Sequence, residues 1–252
     1  MLPSSTACLG YQLFANSLNE LPICHKVINT INQYSYCMAE QDSEFKLALQ
    51  NSDVLLPDGI GIVMAAKFLK GKILKRITGA DLHEHMLTVL NASGGKCFYF
   101  GSSNNTLDKI KQRLKNEFPA VQCQFFSPPY KDVFSDVENE EMIKSINEFK
   151  PNVLFVGMTA PKQEKWTNIN KDKINAEIIC SIGAVFDFYA GTIQRPAKIW
   201  MEFGLEWLGR LVKEPRRLYK RYLYYGPIFA YKLIEEKVRG DLLFHNEFKN
   251  IN

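Results

Sequence analysis

A chain of 252 residues with 46% hydrophobic content is long enough for one large domain, or one domain with an appendage, and can fill a sizeable core. It opens without a basic n-region and apolar h-region, and no run reaches the roughly 18 apolar residues of a spanning helix, so secretion and membrane spanning are not expected. The net charge of +4 is mild but uneven: Arg210 to Tyr225 holds six Lys or Arg against one acid, a local excess that asks for an anionic partner. Six cysteines, at 8, 24, 37, 97, 123 and 180, include no C-x-x-C pair and fit reduced, mostly buried thiols in a bacterial-type cytoplasm.

Residues 1 to 24 carry no strong period and are expected to form an introductory strand and helix. His25 to Asn32 reads as a strand through Val27, Ile28 and Ile31, with Thr30 and Asn32 at its C-terminal end. A helix is expected from Tyr34 to Asn51. Val54 to Gly61 then stops an apolar run on Pro57 and Asp58 and turns through two glycines into the helical stretch Gly59 to Leu69. Asp58 reads either as the N-cap of that helix or as a carboxylate available for chemistry, because strand ends and helix N-termini of parallel α/β proteins meet where ligands bind.

A helix over Gly79 to Leu90 follows, then the strand Lys96 to Gly101, which ends in Gly-Ser-Ser-Asn-Asn and leads into an amphipathic helix from Thr106 to Phe118. Val121 to Phe126 is the next strand, and Ser135 with Glu138 forms a capping box for a helix to Phe149. Val153 to Met158 is a continuous apolar strand of the kind buried on both faces of a parallel sheet, and it runs into the polar helix start Thr159 to Trp166. A last strand, Glu177 to Ile182, ends at Gly183-Ala184.

Strands alternating with helices of about 10 to 15 residues imply an α/β fold, a Rossmann-like doubly wound and mainly parallel sheet. From Arg195 the strand signals stop and the pattern becomes helical and aromatic, which divides the chain into a core at 1–194 and a basic, aromatic appendage at 195–252. That appendage reads either as a membrane-associating element, with Trp and Tyr at the interface and Arg and Lys on anionic headgroups, or as a helical layer with a solvated basic face.

The four histidines make no H-E-x-x-H, and no D-x-D pair is present, so a metal site is not expected; of His83 and His85, one should be exposed and one packed. Neither a phosphate-binding G-x-x-x-x-G-K-[ST] loop nor a full G-x-G-x-x-G occurs. What remains is a sheet edge bearing Thr30, Asn32, Asp58, the Gly101 turn, Gln163 and Asp187, followed by a basic tail. Such an edge suits transfer from a nucleotide-diphosphate donor, with helix N-termini and cations on the diphosphate and one carboxylate taking a proton from an acceptor hydroxyl. Asp187, after the Gly183-Ala184 turn, is also readable as a structural cap. A nicotinamide-dependent oxidoreductase and a non-catalytic membrane scaffold stay as rivals, whereas a nucleic acid is not expected as partner because the basic residues are confined to one tail.

The ordered set Thr30-x-Asn32, Leu56-Pro57-Asp58-Gly59-x-Gly61, Arg76-x-x-Gly79-x-Asp81-Leu82, Phe98-x-Phe100-Gly101, Val156-Gly157-x-x-Ala160-Pro161-Lys162-Gln163-Glu164, Gly183-Ala184-x-Phe186-Asp187-x-x-Ala190-Gly191 and Gly204-Leu205-Glu206-Trp207-x-x-Arg210-Leu211-x-x-Glu214-Pro215-x-Arg217 resembles the WecG/TagA/CpsF glycosyltransferases, glycosyltransferase family 26. The resemblance implies a metal-independent inverting enzyme, needing no cofactor, that adds an N-acetylmannosamine-type or related sugar from a UDP donor to a polyprenyl-diphosphate-linked sugar. It further implies cell-surface polysaccharide synthesis, a cytoplasmic enzyme held peripherally on the inner face of the bacterial cell membrane, and self-association. By the same resemblance Asp58 is the catalytic base, Thr30 contacts substrate, Gln163 is a glutamine of the pocket, and Arg210 and Arg217 are tail arginines of the site; Asn32, Gly59, Gly101 and Asp187 are expected to contact substrate from their place at the sheet-edge turns. Two positions depart from the family pattern. Ile31 stands where the family has proline, and Thr159 where glycine is common, so the donor sugar is the inference most open to change.

Overall fold

The structure, a computed structural model, describes residues 4–21, 26–193 and 219–249. Apolar runs become strands: β1 (Ser5–Cys8), β2 (Tyr11–Phe14), β3 (Lys26–Ile31), β4 (Val54–Pro57), β5 (Lys96–Gly101), β6 (Gln122–Phe126), β7 (Val153–Gly157) and β8 (Ile178–Ser181). They form one sheet in the order β1-β2-β4-β3-β8-β7-β5-β6, in which only the β1–β2 pair is antiparallel. Every residue of β4, β7 and β8 is buried, as a strand covered on both faces requires.

Among the described residues the α-helices are α1 (Gln33–Ala39), α2 (Ser43–Gln50), α3 (Ile60–Lys70), α4 (Gly79–Ser93), α5 (Asn104–Glu117), α6 (Asp136–Phe149), α7 (Lys162–Asn170), α8 (Val185–Tyr189) and α9 (Tyr225–Lys249). Short polar side chains start many of them: Asn32, Asp42, Thr78, Ser103 and Ser135 accept from helix N–H groups. The box between Ser135 and Glu138 forms as the sequence implies.

Two layers of helices sandwich the sheet. Leu82, Met86 and Leu87 of α4, Ile110 and Leu114 of α5 and Phe186 of α8 cluster with Ile28, Leu56, Tyr99 and Phe155 on one face. On the other, α1, α2, α3 and α9 cover Leu13, Ile31 and Leu55, while α6 and α7 cover Phe98, Leu154 and Ile179. The chain leaves β3 toward β4 and β5 toward β6, in opposite directions, with β8 and β7 laid between. Such a divergence opens a crevice at the C-terminal ends of the strands.

Two expectations change. Within the described residues 4–21 the opening gives a β-hairpin, turning through Leu9 (φ 55°) and Gly10 (φ 79°), followed by a single 3-10 turn at Leu18–Glu20, rather than one strand and a helix. Tyr34 to Asn51 is two helices, because Asp42 caps the second: its carboxylate accepts from Phe45 N–H at 3.0 Å and pairs with Lys165 at 2.7 Å. The C-terminal α9 packs on the core, with Phe229 buried against Tyr36. Among the described residues the cysteines are free, and none of the helices is long and apolar enough to cross a membrane.

Candidate active site

Parallel strands end on one side of the sheet, so the turns that follow β3, β4, β5, β7 and β8 share an edge. Asp58 follows β4 directly. Its N–H donates to Ile31 O at 2.8 Å, and Ile77 N–H donates to Pro57 O at 3.1 Å, which holds the end of β3, the Asp58 turn and the Arg76–Ile77 segment side by side. The N-cap of α3 is Gly59 at φ 111°, a conformation that favours glycine. The half-buried Asp58 therefore stands one residue before the capping position, at the strand-to-helix turn itself.

Gly59 and Gly61 permit a close approach. A Cβ on either would lie 3.2 or 3.1 Å from Gln33 Oε1, so the first residue of α1 rests on the start of α3. That Oε1 is buried and accepts no hydrogen bond from the described residues, leaving an unpaired acceptor beside the Asp58 turn. The reading of the sequence missed Gln33; the close glycine pair was its only signal. Thr30, opposite Leu56 in the register, is half-buried near the end of β3. Asn32 has a structural duty: its Oδ1 accepts from Tyr34 N–H at 3.0 Å and Ser35 N–H at 3.1 Å, capping α1.

The β5 and β7 ends meet through glycines. Gly101 (φ 122°) lies opposite Gly157, and a Cβ at Gly101 would collide with the Gly157 carbonyl. A Cβ at Gly157 would in turn lie 2.7 Å from the Phe186 ring. After β7 the chain passes Thr159 in the left-handed region (φ 70°) and a cis Ala160–Pro161 peptide before α7 begins.

In the first turn of α7, Gln163 is 5% exposed and its carboxamide lies against Gly183, at the end of β8. Gln163 Nε2 donates to Glu164 Oε1 at 2.9 Å, while Gln163 Oε1 and Glu164 Oε2 are buried without a hydrogen-bond partner among the described residues. Burial pushes the Glu164 carboxyl up to about 7. One turn on, Thr167 Oγ1 lies 3.5 Å from Ser181 Oγ, extending the polar seam under α7. Glu164 was visible in the sequence only as part of a motif, since nothing in local spacing marks a buried carboxyl.

Asp187 sits in the five-residue α8, where Thr192 N–H and Oγ1 both donate to its main-chain carbonyl at 3.0 Å. Arg210 and Arg217, the compositional boundary at Arg195, and Trp200 and Trp207 lie outside the described residues. Across the edge, β4 to β8 is two strand spacings and β4 to β5 four, or about 10 and about 19 Å at ~4.8 Å each. Thr30, Gln33 and Asp58 thus sit together at the β3–β4 end of the edge, Gln163 and Gly183 lie midway at β8, and Gly101 lies on the far side at β5.

Of the two neighbouring histidines, His83 is buried with its Nε2 2.7 Å from Tyr99 Oη, and His85 is half-buried. Among the described residues no three His, Cys, Asp or Glu side chains gather as a metal-ligand set. A cavity of about 220 Å³ lined by His83, Arg113, Glu117 and Tyr189 lies between α4, α5 and α8 and includes none of the edge residues.

Comparison with known proteins identifies relatives along most of the chain. The model of the glycosyl transferase WecG/TagA/CpsF family covers residues 8–242. A Staphylococcus aureus (strain MW2) N-acetylglucosaminyldiphosphoundecaprenol N-acetyl-beta-D-mannosaminyltransferase is 28% identical over 189 residues, 75% of this chain and 72% of its own. A Bacillus subtilis (strain 168) protein of the same name is 27% identical over 212 residues, 84% of this chain and 80% of its own. With the family match running from the first strand into the last helix, the chain belongs to the WecG/TagA/CpsF family of glycosyl transferases.

Proposed function

We propose that this glycosyltransferase moves an N-acetylmannosamine-type or related sugar from a UDP donor to a polyprenyl-diphosphate-linked sugar during cell-wall polymer synthesis, with inversion at the anomeric carbon. The relatives' names support the N-acetylmannosaminyl group and a diphosphoundecaprenol-linked N-acetylglucosamine acceptor. Asp58 takes the proton of the acceptor hydroxyl as its oxygen attacks the anomeric carbon; the bond to the UDP oxygen breaks and UDP leaves with the electron pair. Main-chain N–H groups at the crevice and the tail residues Arg210 and Arg217 meet the diphosphate charge, without a resident metal or other cofactor. Thr30, Asn32, Gly59, Gly101, Gln163 and Asp187 line the substrate path.

The observation that carries this reading is that the Asp58 turn, with the buried and unpaired Gln33 Oε1 against its glycines, shares one sheet edge with the buried and unpaired Gln163 Oε1 at the end of β8. Open acceptors of that kind suit sugar hydroxyl and amide N–H groups, which lose binding if left unpaired. The enzyme would work peripherally on the inner face of the cell membrane, the 195–252 appendage closing over the 1–194 core, and as a self-associating chain. Family membership leaves the oxidoreductase and scaffold readings without an observation in their favour.

UDP release should be assayed with a panel of UDP-sugars and a short-chain polyprenyl-diphosphate-sugar acceptor. Asp58→Asn should lose about 10²- to 10⁴-fold in turnover, the usual worth of a general base, with an unchanged circular dichroism spectrum. Near-normal turnover in that variant would overturn the assignment.

A further inference from the structure

Helix α3 starts at the Asp58 turn, and its two sides differ. Ile62, Ala65 and Ala66 are buried against the sheet, whereas Ile60, Met64 and Phe68, spaced four apart on one stripe, are 41%, 60% and 52% exposed. Beyond Gly71, Ile73 is 82% exposed. A soluble helix normally turns polar residues outward, so large apolar side chains on three successive turns mark a contact surface.

Along the chain the charges that flank that stripe are of one sign, and the packed helix α9 carries the acids Glu235 and Glu236. Lys67, Lys70, Lys72 and Lys75 are all exposed, and no Asp or Glu occurs from Gly59 to Ala80. None of these four lysines joins an ion pair among the described residues. The neighbouring α9 differs, for its Lys232 and Arg239 both pair with Glu235. Apolar side chains interleaved with unpaired lysines are the pattern of an element lying in the headgroup region of an anionic bilayer. A second copy of the chain fits less well, because a two-fold contact would lay this cationic patch against itself.

We propose that the outer face of α3, with the segment to Lys75, docks on an anionic lipid surface and seats the Asp58 turn at the bilayer. This rests on the proposed function only for its purpose: a lipid-linked acceptor is presented at that surface. It places a membrane contact in the catalytic core, separate from the 195–252 appendage.

The test uses the full chain and two variants of exposed residues, Met64→Ser/Phe68→Ser and Lys67→Gln/Lys70→Gln/Lys72→Gln/Lys75→Gln. Partition is measured by flotation with phosphatidylglycerol–phosphatidylcholine vesicles and with pure phosphatidylcholine vesicles. Each variant should lose on the order of tenfold or more in partition to the anionic vesicles, and the lysine variant should also lose the salt dependence of binding. Transfer to a short-chain, detergent-free acceptor should stay at the wild-type level, which also shows that the variants fold. Undiminished flotation would overturn the proposal, with the appendage alone then carrying any binding. Undiminished flotation together with a smaller sedimenting species would assign the face to a second copy instead. Loss of flotation in an enzyme that transfers no sugar from any donor would uphold the docking face while refuting the proposed reaction.

Discussion

The carboxamide of Gln163 on α7 rests on the backbone of Gly183 at the end of β8, so closely that a Cβ at Gly183 would lie 2.7 Å from Gln163 Oε1. One position therefore sets the other. Gly183→Ala should displace the carboxamide and raise KM for the donor several-fold, as should Gln163→Ala, while the double variant should be no worse than Gln163→Ala alone. Steady-state kinetics on the three proteins decide it, and simple multiplication of the two effects would break the link.

Glu164 gives a pH signature. The folded chain holds its proton up to about 7, whereas an unfolded glutamate with the ordinary value of 4.5 releases it earlier, so this group's stabilisation is greatest at low pH and falls as pH rises from 4.5 to 7. The difference amounts to about 3 kcal/mol. Glu164→Gln keeps an acceptor for Gln163 Nε2 and removes the titration. Its thermal midpoint, followed from pH 4.5 to 7.5, should lack the component of decline present in the wild type.

Asn32 should prove separable into two duties. Asn32→Ala removes the cap of α1 and should cost about 1 kcal/mol, or a few degrees in Tm. Asn32→Asp retains a capping oxygen and should restore stability, yet weaken donor binding, because a carboxylate repels a diphosphate and lacks the Nδ2 donor. Melting curves and donor titration on both variants separate the duties; full donor affinity in Asn32→Asp would confine the residue to capping.

Gly101→Ala should be among the most destabilising substitutions at the edge. It adds both the cost of a side chain at φ 122° and a collision with the rigid Gly157 carbonyl, together about 3 kcal/mol or more. Gly10→Ala is the control, since Gly10 also has a positive φ but open space around it, and should cost only about 1 kcal/mol. Urea titrations of the two variants compare the terms directly.

What the sequence made legible was local. The apolar runs of β4, β5 and β7, the Ser135–Glu138 box and the turn at Asp58 each depend on residues within a few positions of one another. The stretch across α1 and α2 reads as one helix in the sequence because Asp42 also suits a wet helix face; its capping contact to Phe45 N–H is local, but the Lys165 of α7 that holds the carboxylate is more than a hundred residues away. Strand order was hidden for a related reason: β8 and β7 insert between β3 and β5 through long crossovers that no short pattern encodes. At the site, Asp58 could be picked from its turn, but Gln33 and Glu164 acquire their open, buried oxygens only when α1 meets α3 and α7 meets the sheet.

Thr159 carries the remaining consequence. A β-branched residue at φ 70° sits where glycine relaxes at no cost, and holding it there consumes about 1–2 kcal/mol of a marginal folding free energy. Its side chain is exposed at the mouth of the crevice, four positions before Gln163. The chain thus gives up fold stability to keep a methyl and a hydroxyl at that turn. Thr159→Gly should therefore raise the urea midpoint of unfolding, and the same panel of UDP-sugars run on that variant should show a broader donor range.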